Sequence, residues 1–166
     1  MNSAQPLAIR AESLVKNYQT DWKGRHRRAL TGVSFGVSRG TVCGIVGPNG
    51  SGKSTTLKLL AGLLRPDAGR CEIADQPVAR AVACGLVGYL PEALVLPDYL
   101  PGKEFLRELA HLAGMSAIDE KISAALALVG LEADAHRRVG EYSKGMRQRL
   151  GLAQAVLGEP DVVLLD

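Results

Sequence analysis

Between positions 41 and 62 the chain reads as an apolar run, a glycine-rich loop and a helix, and few folds accommodate that order. The loop, Gly47-Pro48-Asn49-Gly50-Ser51-Gly52-Lys53-Ser54-Thr55, fits the phosphate-binding pattern G-x-x-x-x-G-K-[ST]. The run before it, residues 41–46 (TVCGIV), predicts a buried strand, and residues 53–62 predict a helix. Glycines at 47, 50 and 52 let the backbone turn tightly and come close to a ligand. Successive N–H groups of such a loop converge on an anion, and the positive end of the helix that follows adds to the attraction. Lys53 is placed to reach β- and γ-phosphates as a point charge. Ser54 offers a hydroxyl to Mg²⁺, a cation that takes oxygen ligands. Thr55 is a candidate contact to the α-phosphate. A nucleoside triphosphate is the first expected ligand.

Bulk properties narrow the surroundings of this loop. A length of 166 residues suggests one domain or slightly less. Aromatic residues make up only 4% of a chain that is 46% hydrophobic, so the core must be aliphatic. The net charge of +3 is mild, and its excess sits in residues 23–28 (KGRHRR). That run fits a solvated loop better than a nucleic-acid or lipid contact, since Trp22 is its only aromatic companion. No nucleic-acid partner is expected. The three cysteines, Cys43, Cys71 and Cys84, form no C-x-x-C pair and read as reduced, buried thiols of a cytoplasmic compartment. No signal peptide is evident, and no apolar stretch approaches the roughly 18 residues of a membrane span.

Taken in order, residues 8–18 predict a strand carrying Ile9, Leu14, Val15 and Tyr18. A basic loop follows over 20–28. Leu30, Val33, Phe35 and Val37 alternate in a second strand, which ends at Arg39-Gly40 and is expected to form a hairpin with 41–46. The helix after the loop should bury Leu57, Leu60 and Leu64 and close at Gly62. Residues 65–69 (RPDAG) read as a turn, and short strands are expected at 70–74 and 86–90. From Pro101 the pattern turns helical. Phe105, Leu109 and Leu112 share one face, and Ile118, Ile122, Ala125 and Val129 share another, with Gly114 and Gly130 closing the two helices. Ser143 can cap a helix whose apolar face is Met146, Leu150, Ala153 and Leu157. The closing run, residues 162–165 followed by Asp166, reads as a central strand covered on both faces.

Two further motifs accompany the loop. Tyr142-Ser143-Lys144-Gly145-Met146-Arg147-Gln148-Arg149 resembles the signature motif of ATP-binding-cassette (ABC) ATPases, in the variant of exporter-type cassettes. The apolar run ending in Asp166 resembles their Walker B strand. The resemblance covers nearly the whole chain, from about Ala8 to Asp166. It implies an α/β fold: a P-loop NTPase (RecA-like) core with an N-terminal antiparallel β subdomain and a small helical subdomain. On that reading residues 8–92 hold the β subdomain and the loop, 93–142 the helical subdomain, and 143–166 the signature helix and Walker B strand.

The resemblance also assigns roles. Tyr18 matches the aromatic that stacks on adenine, though a strand-end tyrosine packed on the core is the plain alternative. Glu92, in Gly88-Tyr89-Leu90-Pro91-Glu92, stands where most cassettes carry a glutamine. A carboxylate there suits Mg²⁺ but puts the usual amide role in doubt, and a surface glutamate is the alternative. Asp166 and Ser54 complete the expected metal ligands. Ser143 and Gly145, at a helix N-terminus, are implied to meet the ATP of a second nucleotide-binding domain in a two-fold dimer. A separate integral membrane permease is implied, with Leu94, Leu96, Tyr99 and Leu100 either facing it or packing internally. The charged stretch 134–138 reads as a solvated turn. The implied function is MgATP binding whose hydrolysis drives a transporter, in the export direction, from the cytoplasmic face of the membrane. The alternatives are a soluble ABC-type ATPase without a transport role, or a nucleotide-binding fragment without ATPase activity. The catalytic glutamate of the family is expected immediately after Asp166. The 166 residues are therefore expected to belong to a longer cassette, to hydrolyse ATP poorly, and to aggregate in isolation.

Overall fold

The computed structural model describes residues 6–19 and 26–166. They fall into two compact units, Met1–Val87 and Gly88–Asp166.

The first unit is built on an antiparallel sheet. Strand β1 (Leu7–Gln19) lies between β2 (His26–Ser38) and β3 (Ala68–Ile73), and β3 carries a two-residue edge strand, β4 (Gln76–Pro77). Register runs from Leu7 opposite Ser38 to Tyr18 opposite Arg27, with a bulge where Ser13 adopts φ 49°. The bulge between Ala11 and Leu14 lets both face inward, where with Leu30 they meet Leu59. Leu59 belongs to α1 (Lys53–Leu60), the helix that follows the glycine-rich loop. Gly62 closes α1 in the left-handed region at φ 72°, as the sequence predicts. Its buried residues are Thr56, Leu59 and Leu60, whereas Leu57 and Leu64 are only partly covered.

Asp67 fastens the exit of α1 to the sheet. Its carboxylate accepts from Lys16 Nζ at 2.9 Å and from the Asn17 backbone N–H at 2.6 Å, while its own N–H donates to the Val15 carbonyl. A short helix, α2 (Val78–Ala83), buries Val78 and Ala81 against this unit. The sequence patterns gave no sign of it, because six residues are too few for a helical period to show.

Several expectations for this half are corrected. Residues 41–48 form no strand: every one is exposed, Val46 to 94%, and none joins a ladder. An apolar run states a need for burial, but a strand also needs a neighbour to take its N–H and C=O groups. The hairpin between 30–37 and 41–46 is absent as well. The Arg39-Gly40 turn exists, but β2 pairs with β1. The basic loop is shorter than 20–28, since β2 starts at His26; residues 20–25 lie outside the described set.

The second unit opens with β5 (Val87–Leu90), paired with β6 (Val162–Leu165). Three helices, α3 (Gly102–Leu112), α4 (Ile118–Val129) and α5 (Lys144–Val156), enclose an aliphatic core. Leu106, Ile122, Leu131, Val139 and Leu150 are fully buried in it. In α4 the predicted face holds: Ile122, Ala125 and Val129 point inward and Ile118 packs against the cluster. In α3 the face is rotated. Gly102, Phe105, Leu106 and Ala110 are buried, and Leu112 is exposed. Ser143 is the N-cap of α5, accepting from the Met146 N–H at 3.2 Å.

Strand β6 is covered on one face only, with Val162 and Leu164 buried and Val163 and Leu165 exposed. Nor are the cysteines buried as a set. Cys43 and Cys84 are exposed; Cys71 is half-buried, and burial, with Glu72 beside it, pushes its thiol pKa up. No helix among the described residues is long and apolar enough to cross a membrane.

Two outcomes check these attachments. The hydrogen bonds from Lys16 and Asn17 hold the Asp67 carboxyl below its ordinary 3.8. A depressed carboxyl pKa stabilises the fold above the unfolded value and loses that effect as pH falls through the folded one. Asp67→Asn should therefore lower the thermal midpoint near pH 7, and its gap from the unaltered chain should close below pH 3.8. Ser143→Ala should cost about 1 kcal/mol in denaturant unfolding of the second unit, the usual loss of an N-cap oxygen.

Candidate nucleotide site

The glycine-rich loop owes its shape to its contact with the sheet. Gly52 caps α1 at φ 96° and ψ 8°, a left-handed conformation that a side chain resists. A Cβ there would lie 2.7 Å from the Ala29 carbonyl oxygen and 2.6 Å from a Leu30 methyl. Gly50 is also left-handed, at φ 80°, and a Cβ on Gly47 would meet Ser51 Oγ at 2.7 Å. The chain is thus wound into a tight crown, braced by the Ser51 N–H on the Pro48 carbonyl. The first intrahelical donor after the crown is Thr56, whose N–H and hydroxyl both reach the Gly52 carbonyl. The N–H groups of Lys53, Ser54 and Thr55 precede the helical ladder and are left for an anion. Lys53 Nζ rests on the carbonyls of Gly47 and Pro48 at 2.9 and 3.0 Å. A phosphate oxygen, carrying formal charge, is a stronger acceptor for an ammonium than either carbonyl. A tight glycine crown with unpaired N–H donors and an ammonium held only by two carbonyls fits a polyphosphate.

Tyr18 stands at the end of β1, 36% exposed, with its hydroxyl 3.4 Å from Thr55 Oγ1. The two residues assigned separately to base and α-phosphate are therefore adjacent. Asn49 and Pro48 sit exposed on the crown. Opposite Tyr18 in the ladder is Arg27. Its guanidinium lies over the crown, with Nη2 2.8 Å from where a Gly50 Cβ would stand. Sequence reasoning passed over Arg27 as part of a solvated basic run; the usable signal was its position beside a tyrosine already singled out.

The second unit holds the other candidates. Asp166 accepts a hydrogen bond from the Tyr89 hydroxyl at 3.0 Å, and its N–H donates to the Leu90 carbonyl. Burial first, then the bond to Asp166, pushes the Tyr89 phenol up to about 12. Tyr89 was quoted only as a neighbour of Glu92, so this orienting contact was not foreseen. Glu92 is exposed on the turn after β5. Among the described residues no three His, Cys, Asp or Glu side chains cluster as a metal cage. Taken singly, Ser54, Asp166 and Glu92 each carry an oxygen donor of the kind Mg²⁺ takes; the ion commonly uses one or two carboxylates and fills its shell with phosphate and water.

Ser143 and Gly145 are both exposed at the start of α5. The arginines that follow are structural pins. Arg147 donates to Asp98 at 2.6 Å, and Arg149 donates to the Val129 and Gly130 carbonyls at 3.1 and 2.9 Å, capping the C-terminus of α4. Upstream, Arg137 pairs with Asp134, and the buried Tyr142 donates its hydroxyl to the Asp134 carbonyl. The apolar stretch after Glu92 divides. Leu96 is buried and Leu94 and Leu100 pack on the core, whereas Tyr99 is 74% exposed.

The ABC transporter family model matches residues 30–166. The chain is 42% identical over 157 residues to an uncharacterized ABC transporter ATP-binding protein, YxlF, of Bacillus subtilis (strain 168), covering 93% of this chain and 50% of that protein. It is 36% identical over 163 residues to the Nod factor export ATP-binding protein I of Paraburkholderia xenovorans (strain LB400), covering 96% and 52%. Among solved structures, the ATP-binding subunit of an ABC transporter superposes with a TM-score of 0.80 at 29% identity, covering 96% of this chain and 65% of that one. The chain thus spans about half the length of these two relatives. With its glycine-rich loop, its signature helix and this match over residues 30–166, the chain belongs to the ABC transporter family, among the ATP-binding proteins, with the P-loop NTPase fold.

Proposed function

We propose that this chain binds MgATP as part of the ATP-hydrolysing subunit of an ABC transporter and that the whole protein couples hydrolysis to a separate membrane permease. The observation that carries the reading is the crown at 47–55, wound so tightly that a Cβ at Gly47, Gly50 or Gly52 would meet a neighbour within 3 Å, with Tyr18 at its Thr55 end. Lys53 holds the β- and γ-phosphates, Thr55 the α-phosphate and Tyr18 the base. Ser54 of the first unit, and Asp166 and Glu92 of the second, are the oxygen donors that would hold Mg²⁺, and the ion would supply positive charge to screen the phosphates. Tyr89 keeps the Asp166 carboxylate in one orientation.

Ser143 and Gly145 serve the nucleotide of a second copy. The exposed N-terminus of α5 is the kind of surface an anion seeks, while the loop of the same chain already has phosphate donors of its own. The name of the Nod factor export relative favours export as the direction. Work at a permease puts the protein on the cytoplasmic side of the membrane. Val95 and Tyr99, exposed in a stretch whose leucines pack inward, are the apolar residues left there for a permease contact.

The test is nucleotide binding by titration calorimetry. The unaltered chain should bind MgATP, and Lys53→Ala should weaken it about a hundredfold, the loss of a charge-assisted contact to phosphate. Equal affinity of the two overturns the reading. Co-purification of the full-length protein with a polytopic membrane protein supports the transport role, and its consistent absence from membrane fractions favours a soluble ABC-type ATPase.

A further inference from the structure

We propose that Arg27 is a second cation of the triphosphate site, binding phosphate oxygens from its place over Gly50; this rests on the nucleotide-binding reading above. Three observations converge on it. The Arg27 guanidinium is laid over the loop, with Nη2 2.8 Å from the position a Gly50 Cβ would take. The side chain is exposed, and among the described residues no carboxylate or carbonyl accepts a hydrogen bond from it. Arg27 also faces Tyr18 across the β1–β2 ladder, and directly opposed residues in an antiparallel pair project to the same side. Tyr18 reaches Thr55 at one end of the loop and Arg27 reaches Gly50 at its crown. One pair of strand residues therefore brackets the stretch along which a nucleotide's phosphates run.

The chemistry of the group suits the task. A guanidinium is planar, permanently charged and able to give two parallel hydrogen bonds to one phosphate. Lys53 is a flexible point charge whose ammonium rests on two loop carbonyls. The two cations differ in what they add: Lys53 follows the terminal phosphates, and Arg27, carried on a paired strand, fixes the direction from which the chain of phosphates enters. The neighbouring Arg28 does not share the role, because its Nε donates to Asn17 Oδ1 at 3.4 Å.

Calorimetry with MgATP on the 166-residue chain at two salt concentrations tests this, with Arg27→Gln and Arg27→Lys beside Lys53→Ala. Arg27→Gln should weaken MgATP binding about tenfold, as the loss of one charge-assisted contact does. Arg27→Lys should recover part of it, and the salt dependence of Kd should be shallower in Arg27→Gln, since one fewer charge is there to be screened. Matched melting curves establish that the variants are folded. MgATP affinity within twofold of the unaltered chain overturns the role. So does equal weakening in both Arg27 variants with unchanged salt dependence, which marks a steric prop for Gly50. Absence of binding by the unaltered chain overturns the nucleotide reading itself and this inference with it. Binding lost in Lys53→Ala but intact in Arg27→Gln overturns this inference alone.

Discussion

The contact between Gly52 and the β2 backbone fixes the shape of the phosphate loop. At φ 96° the residue is where a side chain is strained, and the space a side chain would need is filled by the Ala29 carbonyl and a Leu30 methyl. The Ala29 carbonyl sits at a register shift of β2 and is held between the paired residues Arg28 and Leu30. Leu30 itself is buried among Ala11, Leu14 and Leu59, so the apolar packing between sheet and helix presses the helix start against the strand. A sheet with no chemistry of its own thereby sets the curvature of a loop that has it. The same sheet delivers the pair at its far end, Tyr18 and Arg27, to the Thr55 end of the loop and to its crown at Gly50. One antiparallel pairing thus both shapes the crown and places an aromatic ring and a guanidinium beside it.

What was legible in the sequence was whatever depends on local rules. The loop announces itself because only glycine tolerates its backbone. The face of α4 follows from a clean helical period, and the Ser143 cap from a residue type that competes for the first N–H groups. What failed depends on partners. Residues 41–46 carry the composition of a buried strand, yet a strand is a relation between two segments, and composition names only one. The same gap misplaced the cover on β6, where Val163 and Leu165 are exposed, and overstated the burial of Cys43. Leu112 fits the helical period of α3, but it falls in the last turn, past the reach of the neighbouring helices. In the candidate site, the residues singled out from the sequence were those that a motif names by position. Arg27 and Tyr89 were missed because arginine and tyrosine have many roles, and only the register across β1–β2 and the hydroxyl contact with Asp166 select one.

The signature segment shows a division of labour within eight residues. Tyr142, Arg147 and Arg149 are tied down: to the Asp134 carbonyl, to the Asp98 carboxylate, and to the end of α4. Ser143 and Gly145, between them, are exposed. A flexible pair of small polar residues at a helix start would lose conformational entropy on meeting a ligand, and that loss would subtract from any affinity gained. The anchors remove it beforehand. Arg149 does so while satisfying carbonyls that α4 would otherwise leave unpaired at its end, so one side chain completes one helix and holds the next. The Ser143 oxygen is itself engaged, accepting from the Met146 N–H. A hydroxyl keeps its own proton to donate while its oxygen accepts, so this cap leaves Ser143 with a donor directed away from the helix. Within the motif, Tyr142, Arg147 and Arg149 are therefore the side chains that hold Ser143 and Gly145 in place.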